Sequence, residues 1–269
     1  VCHASTGLEL FMNTSSLLHV DSVTLRYKTQ KSLVTATERV SFDLNPSDRL
    51  ILLGPSGCGK STLLKAVGGY LKPDAGQILL NGHPIRQPGP ERMMVFQEFD
   101  QLLPWLTVKE NVMFGLTTAR KTPRKEAEER ALYYIHKVRL DEFANHYPHT
   151  LSGGMKQRVA IARGMAMEPK ILLMDEPFAA LDALTRQQMQ DELLQLWADI
   201  HFTMLFVTHS IAEAIKLGDR ILLLSPHPGK VKEQLFSDGT DRILPTGELL
   251  SQYIHQQLFN APVEELDHA

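Results

Sequence analysis

The sequence predicts an α/β fold: a mostly parallel sheet covered on both faces, preceded by an antiparallel β section and interrupted by an all-helical insertion. Three observations predict it. Compact apolar runs at 49–53, 171–175, 202–208 and 220–224 alternate with helix-like segments, the pattern of a parallel sheet buried on two sides. The first of these runs opens into a glycine-rich turn, Gly54-Pro55-Ser56-Gly57-Cys58-Gly59-Lys60-Ser61, and then a helix. From about 100 to 152 the apolar residues recur at helical spacing with no strand between them.

Each element has a local reason. Leu17 to Tyr27 and Val40 to Leu44 alternate apolar and polar residues, as antiparallel strands do. Lys60 to Val67 is helical, and Lys72-Pro73-Asp74-Ala75-Gly76 is a turn. Gln77 to Leu80 and His83 to Arg86 flank Asn81-Gly82, a tight-hairpin signal. Leu106 to Leu116 and Pro123 to Val138 read as helices, with Pro123 at a favoured first position. Ile171 to Asp175, Phe202 to Thr208 and Arg220 to Leu224 are buried-type strands. Thr185 to Ile200 and Ser210 to Leu217 are the helices between them. Val231 to Phe236 is expected at the sheet edge, and Glu248 to Leu258 is one more helix.

Composition narrows the function classes. The 269 residues are 43% hydrophobic and 22% charged with net charge −3, an ordinary globular balance. That excludes a mainly disordered chain, a nucleic-acid coat and a polybasic membrane anchor. The apolar runs are far shorter than the roughly 20 residues of a membrane span. Residues 1–20 lack the basic start and continuous apolar centre of a secretory signal. Residues 1–16 are expected to form a flexible extension; Val1 is read as a non-standard start codon, with Met12 as a second candidate start. Two distant cysteines, Cys2 and Cys58, make neither a disulfide framework nor a zinc site and fit a reduced compartment. His136, His146 and His149 have no metal spacing and are read as surface or packing residues.

Three motifs carry chemistry. The glycine-rich turn matches G-x-x-x-x-G-K-S, the phosphate loop, in the required setting between strand and helix. Its glycines let successive N–H groups turn inward toward phosphate oxygens, and the helix start adds its positive end. Lys60 is placed to reach the β- and γ-phosphates and Ser61 to ligate Mg²⁺. Ile171-Leu172-Leu173-Met174-Asp175-Glu176 delivers two carboxylates at a strand end, Asp175 for Mg²⁺ and Glu176 to orient or deprotonate water. Leu151-Ser152-Gly153-Gly154-Met155-Lys156-Gln157-Arg158 opens a helix, and by itself reads equally as an anion site or an ordinary serine cap.

In this order the three motifs resemble the ABC transporter ATPase family, over about Tyr27 to Leu224. The resemblance implies a P-loop NTPase core at 17–230, a helical subdomain at about 100–165, and an edge strand with a helical tail at 231–269. It implies ATP and Mg²⁺ as cofactors. Nucleotide would be held by Tyr27, stacking on adenine, and by Gly54, Pro55, Ser56, Gly57, Cys58, Gly59, Lys60, Ser61 and Thr62. Glu176, His209 and Gln97 would be catalytic, and Ser61, Gln97 and Asp175 would hold the metal. Ser152, Gly153 and Gly154 would act in trans on a second copy or close relative, with Asp182 in the loop crossing that interface. Met155 departs from the glutamine many members carry, while the serine and both glycines are intact. ATP is expected to shield Cys58 from alkylation.

Outside the site, Gln101 to Val108, Pro177 to Arg186 and Leu223 to Lys230 look like the bacterial importer subgroup for nitrate, sulfonate and taurine. This implies integral-membrane permease subunits as partners, an extracytoplasmic solute-binding protein indirectly, no nucleic acid, and a peripheral place on the cytoplasmic face of the inner membrane. Pro104-Trp105 reads as a loop anchor or as part of the groove for a permease helix. The alternative is a soluble single-domain ABC ATPase of an assembly system, such as iron–sulfur cluster biogenesis. A small-molecule kinase would share the phosphate loop but has no need of Leu-Ser-Gly-Gly.

Overall fold

The computed structural model describes residues 16–28, 33–98 and 101–259. Residues 1–15 of the expected N-terminal extension, with Met12 and Cys2, the 99–100 start of the helical section and the last ten residues lie outside the described residues.

Two sheets build the protein. The first has four antiparallel strands in the order β2-β1-β4-β5: β1 Leu18–Lys28, β2 Leu33–Leu44, β4 Ala75–Leu80 and the short β5 His83–Pro84. The second has six, in the order β10-β9-β3-β8-β7-β6. Its parallel members are β3 Arg49–Leu53, β6 Arg92–Val95, β7 Ile171–Asp175, β8 Met204–Thr208 and β9 Arg220–Leu224. β10, Val231–Phe236, pairs antiparallel with β9 at the edge.

Strand alternation divides the core. Leu50 and Leu52, with Leu173, Leu205 and Leu222, pack under the antiparallel sheet and helix α1 (Lys60–Val67). Ile51 and Leu53, with Leu172, Phe206 and Ile221, face the other way, against helices. Those helices are α5 (Ala183–Ile200), α6 (Ile211–Leu217) and α7 (Leu250–Phe259), and the helical section lies on the same core. That section holds α2 (Val108–Thr118), α3 (Arg124–Lys137) and α4 (Gly153–Ala166), with single 3₁₀ turns at Asp141–Phe143 and Pro148–Thr150. A capping box between Thr107 and Glu110 starts α2. Leu250, Ile254 and Leu258 of α7 are buried, so the tail packs on the core.

Three departures have physical reasons. β2 begins at Leu33 rather than Val40: Arg39 sits at φ 49, and the register with β1 shifts near it, which breaks the alternation that marks a strand. β4 begins inside the expected turn, at Ala75. β6 carries no strand signature in the sequence; its Arg-Met-Met-Val is short and polar at one end, and pairing with β7 makes it a strand.

Candidate functional site

The parallel strands end in register. Val95 pairs with Met174, Met174 with Phe206, Phe206 with Ile51, and Ile51 with Ile221. Two residues further along, Leu53 still pairs with Thr208 and Leu223, while Gln97 and Glu176 lie just past the ends of β6 and β7. Strand pairing therefore brings Gln97, Glu176 and the Thr208–His209 turn to one edge, beside the loop that leaves Leu53. No sequence proximity is needed.

The phosphate loop spans the gap from β3 to α1. Gly57 (φ 82) and Gly59 (φ 92) adopt the left-handed backbone that lets the chain curl. A Cβ on Gly59 would lie 2.6 Å from the Ala36 carbonyl oxygen, so β2 supports the loop from below. Lys60 is buried, and its Nζ donates to the carbonyls of Gly54 (2.8 Å) and Pro55 (2.9 Å). Ser61 Oγ donates to Asp175 Oδ1 at 2.7 Å, joining the helix start to the end of β7. Burial pushes the Asp175 carboxyl upward, opposed by the Ser61 bond and by the Lys65 and Lys60 charges. A hydroxyl and a carboxyl this close make an oxygen-only pair of the kind that suits a small hard cation.

Glu176 follows at φ 45, a strained backbone for a non-glycine residue, held by its N–H bond to the Val207 carbonyl at 3.0 Å. His209 Nδ1 lies 2.8 Å from Glu176 Oε2. A carboxylate only accepts, so the proton of this bond is on Nδ1 and Nε2 is left for the opposite side. Phe178, Arg186, Thr208, Ser210 and Glu213 line a cavity of about 40 Å³ beside this pair.

Several contributors to this arrangement are absent from the motif reading. Glu213 is buried; its carboxylate accepts from the Thr208 hydroxyl and from Gln190 Nε2 at 3.1 Å. Thr208 Oγ1 in turn accepts from the Ser210 N–H at 3.0 Å, so the His209 turn is tied at both sides. The Gln97 loop is clasped by Gln101, whose amide bonds Phe96 N (3.2 Å) and O (2.9 Å) and the buried Gln157 of α4 (3.3 Å). Arg163 of α4 donates to the Gln101 carbonyl at 2.8 Å. The signal available for Gln157 is a polar residue on the apolar side of a helix.

Other expected site residues lie apart from this cluster. Ser152 is the exposed N-cap of α4 and accepts from the Met155 N–H at 3.3 Å. Gly154 abuts Thr185 of α5: an added Cβ would be 3.0 Å from Thr185 Cγ2. Asp182 caps α5 by accepting from the Thr185 N–H (3.0 Å), which holds its carboxyl below the usual range. Ser152, Gly153, Gly154 and Asp182 thus form their own group, and no hydrogen bond joins them to 54–62 among the described residues. Tyr27 is exposed on β1, paired with Val34. It is two residues from Leu25, the partner of Thr37, whose methyl touches the Gly59 position.

One expectation is corrected. The Cys58 thiol is 1% exposed and packs among the core residues under the sheet, and burial pushes it upward against the pull of the Lys60 charge. A buried, protonated thiol reacts poorly with alkylating agents. Nucleotide has nothing further to shield.

The chain is similar to known proteins in both sequence and fold. The family profile described as ABC transporter matches residues 37–179. The taurine import ATP-binding protein TauB of Rhizobium johnstonii is 49% identical over 218 residues, 81% of this chain and 82% of that protein. The bicarbonate transport ATP-binding protein CmpD of Synechocystis is 41% identical over 257 residues, 92% of this chain and 90% of that one. Among solved structures, the dimeric post-hydrolysis state of the ATP-binding cassette MJ0796 bound to ADP and Pi superposes with a TM-score of 0.70 at 32% identity, covering 83% of this chain and all of that one. CbiO1 from Clostridium perfringens, part of the transporter complex cbiONQ, superposes at 0.72 with 28% identity, covering 82% of this chain and 88% of that one.

Proposed function

Because the chain belongs to the ABC transporter family and is an ATPase of it, we propose that it drives uptake of a small solute, an anion such as nitrate, a sulfonate or taurine. In this reading two copies close on two ATP molecules beneath a membrane permease. The observation that carries the ATPase part is the convergence at one sheet edge of the Ser61–Asp175 pair (2.7 Å) and the Glu176–His209 pair (2.8 Å). The import part is supported by relatives named for taurine and bicarbonate transport. Among the described residues no helix is long and apolar enough to cross a membrane, so the chain would be peripheral to its permease.

The geometry supports the following roles. The loop N–H groups from Gly57 to Ser61 and the start of α1 bind the phosphates, and Lys60 adds a positive charge within the loop. Ser61, Asp175 and Gln97 would hold Mg²⁺, which supplies charge neutralisation at the β- and γ-phosphates when bound. Glu176 orients the attacking water and accepts its proton. His209, fixed by Glu176 through Nδ1, presents Nε2 toward the γ-phosphate side. Ser152 and Gly154 of a second copy add N–H and hydroxyl donors on the open face; phosphate charge is poorly neutralised by one loop alone.

The test is recovery from membranes. The tagged chain is extracted in mild detergent from its native host and its co-purifying proteins are identified. A strongly apolar multi-span subunit is the expected partner. Soluble partners only, with the chain absent from membranes, would overturn the importer reading in favour of an assembly ATPase.

A further inference from the structure

Residues 225–230 follow β9 and contribute nothing to the chemistry described above, yet they lie directly behind the phosphate loop. The Gly229 N–H donates to the Ala36 carbonyl (2.9 Å), and the Glu38 N–H donates to the Gly229 carbonyl (3.0 Å). Gly229 thus joins β2 at Thr37 as a parallel bridge. A Cβ placed on Gly229 would lie 2.1 Å from the Cys58 carbonyl oxygen. The same Ala36 carbonyl oxygen is 2.6 Å from the Cβ position of Gly59. Gly229 and Cys58 therefore meet backbone on backbone, and β2 meets the loop through the Ala36 carbonyl and the Thr37 methyl.

The segment behind the loop is itself stiff. Ser225 Oγ donates to the Pro228 carbonyl (2.9 Å) and lies 3.0 Å from that of Pro226. The same oxygen accepts the Lys230 N–H (2.9 Å), while the Ser225 N–H donates to the Lys230 carbonyl (2.9 Å). The Lys230–Glu38 ion pair at 3.1 Å is largely exposed and adds little.

We infer that Gly229 is a positioning residue of the ATPase: the 225–230 loop is a fixed brace that sets the height at which Cys58, Gly59 and Lys60 present their N–H groups to phosphate. The role rests on the ATPase activity and is independent of cargo. Gly229 does not occupy the left-handed region, so Gly229→Ala alters space and not backbone preference. Real Cβ atoms stay at least about 3.0 Å from a carbonyl oxygen, so the methyl displaces Cys58 or the brace by at least about 0.9 Å. A shift of that size in an oriented set of donors changes binding by about ten- to a hundredfold.

The test uses the full chain in a Cys2→Ser background. It measures the Kd for Mg-ADP by calorimetry, KM and kcat for Mg-ATP, the Tm, and the rate of Cys58 alkylation by iodoacetamide. Gly229→Ala is expected to raise Kd and KM at least about tenfold, with a smaller change in kcat, and to speed Cys58 alkylation by a similar factor as the loop lifts. Ser225→Ala, which loosens the brace without filling space, is expected to shift Kd in the same direction by about threefold. A folded Gly229→Ala protein with unchanged Kd and unchanged alkylation overturns the inference, even if its Tm falls, because that result describes packing alone. Should Gly229→Ala fail to fold, an unchanged Kd and alkylation rate in Ser225→Ala overturns it.

Discussion

Truncating Glu213 to alanine tests how much of the site depends on a group that touches no substrate. Its carboxylate is buried, accepts the Thr208 hydroxyl and takes the Gln190 amide at 3.1 Å. Thr208 is itself buried and receives the Ser210 N–H, so the turn bearing His209 rests on this carboxylate. Glu213→Ala leaves the Thr208 hydroxyl and Gln190 amide without that partner, at about 1–3 kcal/mol each. Removing a buried acid returns part of this, because burial pushes the Glu213 carboxyl upward more than its two bonds pull it down. A net loss of about 2–4 kcal/mol remains, which for a chain of this size lowers Tm by roughly 5–15 °C. Glu213→Gln keeps an acceptor and the volume, and is expected to cost under about 1 kcal/mol. Thermal unfolding measures the first effect. Steady-state turnover measures the second: in Glu213→Ala kcat falls at least about tenfold with KM changed by less than about threefold, because His209 loses its position while the phosphate loop is untouched. A Glu213→Ala protein within about 2 °C of wild type, or a glutamine variant as damaged as the alanine one, refutes the reasoning.

The same residue gives a pH dependence with a definite sign. Its carboxyl lies above the ordinary 4.5 in the fold, so between those two values the native state binds more protons than the unfolded chain. Its contribution to stability therefore declines as pH rises through that window and is level above it. Glu213→Gln lacks this decline, so the stability difference, variant minus wild type, rises from about pH 4 upward and then flattens. A difference that falls or stays constant from about pH 4 to about pH 8 contradicts the assignment.

Two further expectations concern other parts of the site. Glu176→Gln retains ATP binding, loses at least about a hundredfold in turnover, and collects as an ATP-bound dimer by light scattering; near-normal turnover removes Glu176 as the key carboxylate. Arg158 of α4 pairs with Glu192 of α5 at 2.8 Å, both side chains being mostly buried, and Glu192 Oε2 has no hydrogen-bond partner. Arg158→Ala then strands a buried charge at about 3 kcal/mol, a Tm loss of roughly 6–12 °C, and adding Glu192→Leu restores most of it. A double variant no better than the single one sinks that account.

What was legible in the sequence depended on how each residue is used. The phosphate loop is readable because its glycines are spent on backbone conformation, and only a glycine-rich string between strand and helix satisfies that need. Asp175 and Glu176 are readable only in company: a buried strand often ends in acids, and it is their place after a phosphate loop that marks them. Glu213 is hidden because Ser210-Ile211-Ala212-Glu213 looks like a helix start with an ordinary acid in its first turn, and Ser210 does cap α6. Nothing local says that this acid turns inward to Thr208 and Gln190. The burial of the Cys58 thiol is hidden for a related reason: the loop has no periodicity from which a side-chain direction could be read. β6 is hidden because its four residues become a strand only through β7.

Strand pairing anchors some site residues more firmly than others. Glu176 and the His209 turn emerge from β7 and β8, each hydrogen-bonded to a strand on both sides. Ser61 is tied to β7 through Asp175. These groups share one buried sheet and hold their distances as firmly as the sheet holds its strands. Gln97 emerges from β6, which is four residues long, lies at the sheet edge and pairs only with β7. Beyond Val95 its loop is held chiefly by Gln101, Gln157 and Arg163, and the last two belong to α4. Ser152, the residue proposed above to face a second copy, is the N-cap of α4. The position of Gln97 and the orientation of the Ser152 face are therefore set by one helix, while Asp175, Glu176 and His209 are set by the sheet. A displacement of α4 would therefore act on Gln97 and on the proposed partner face at Ser152 together.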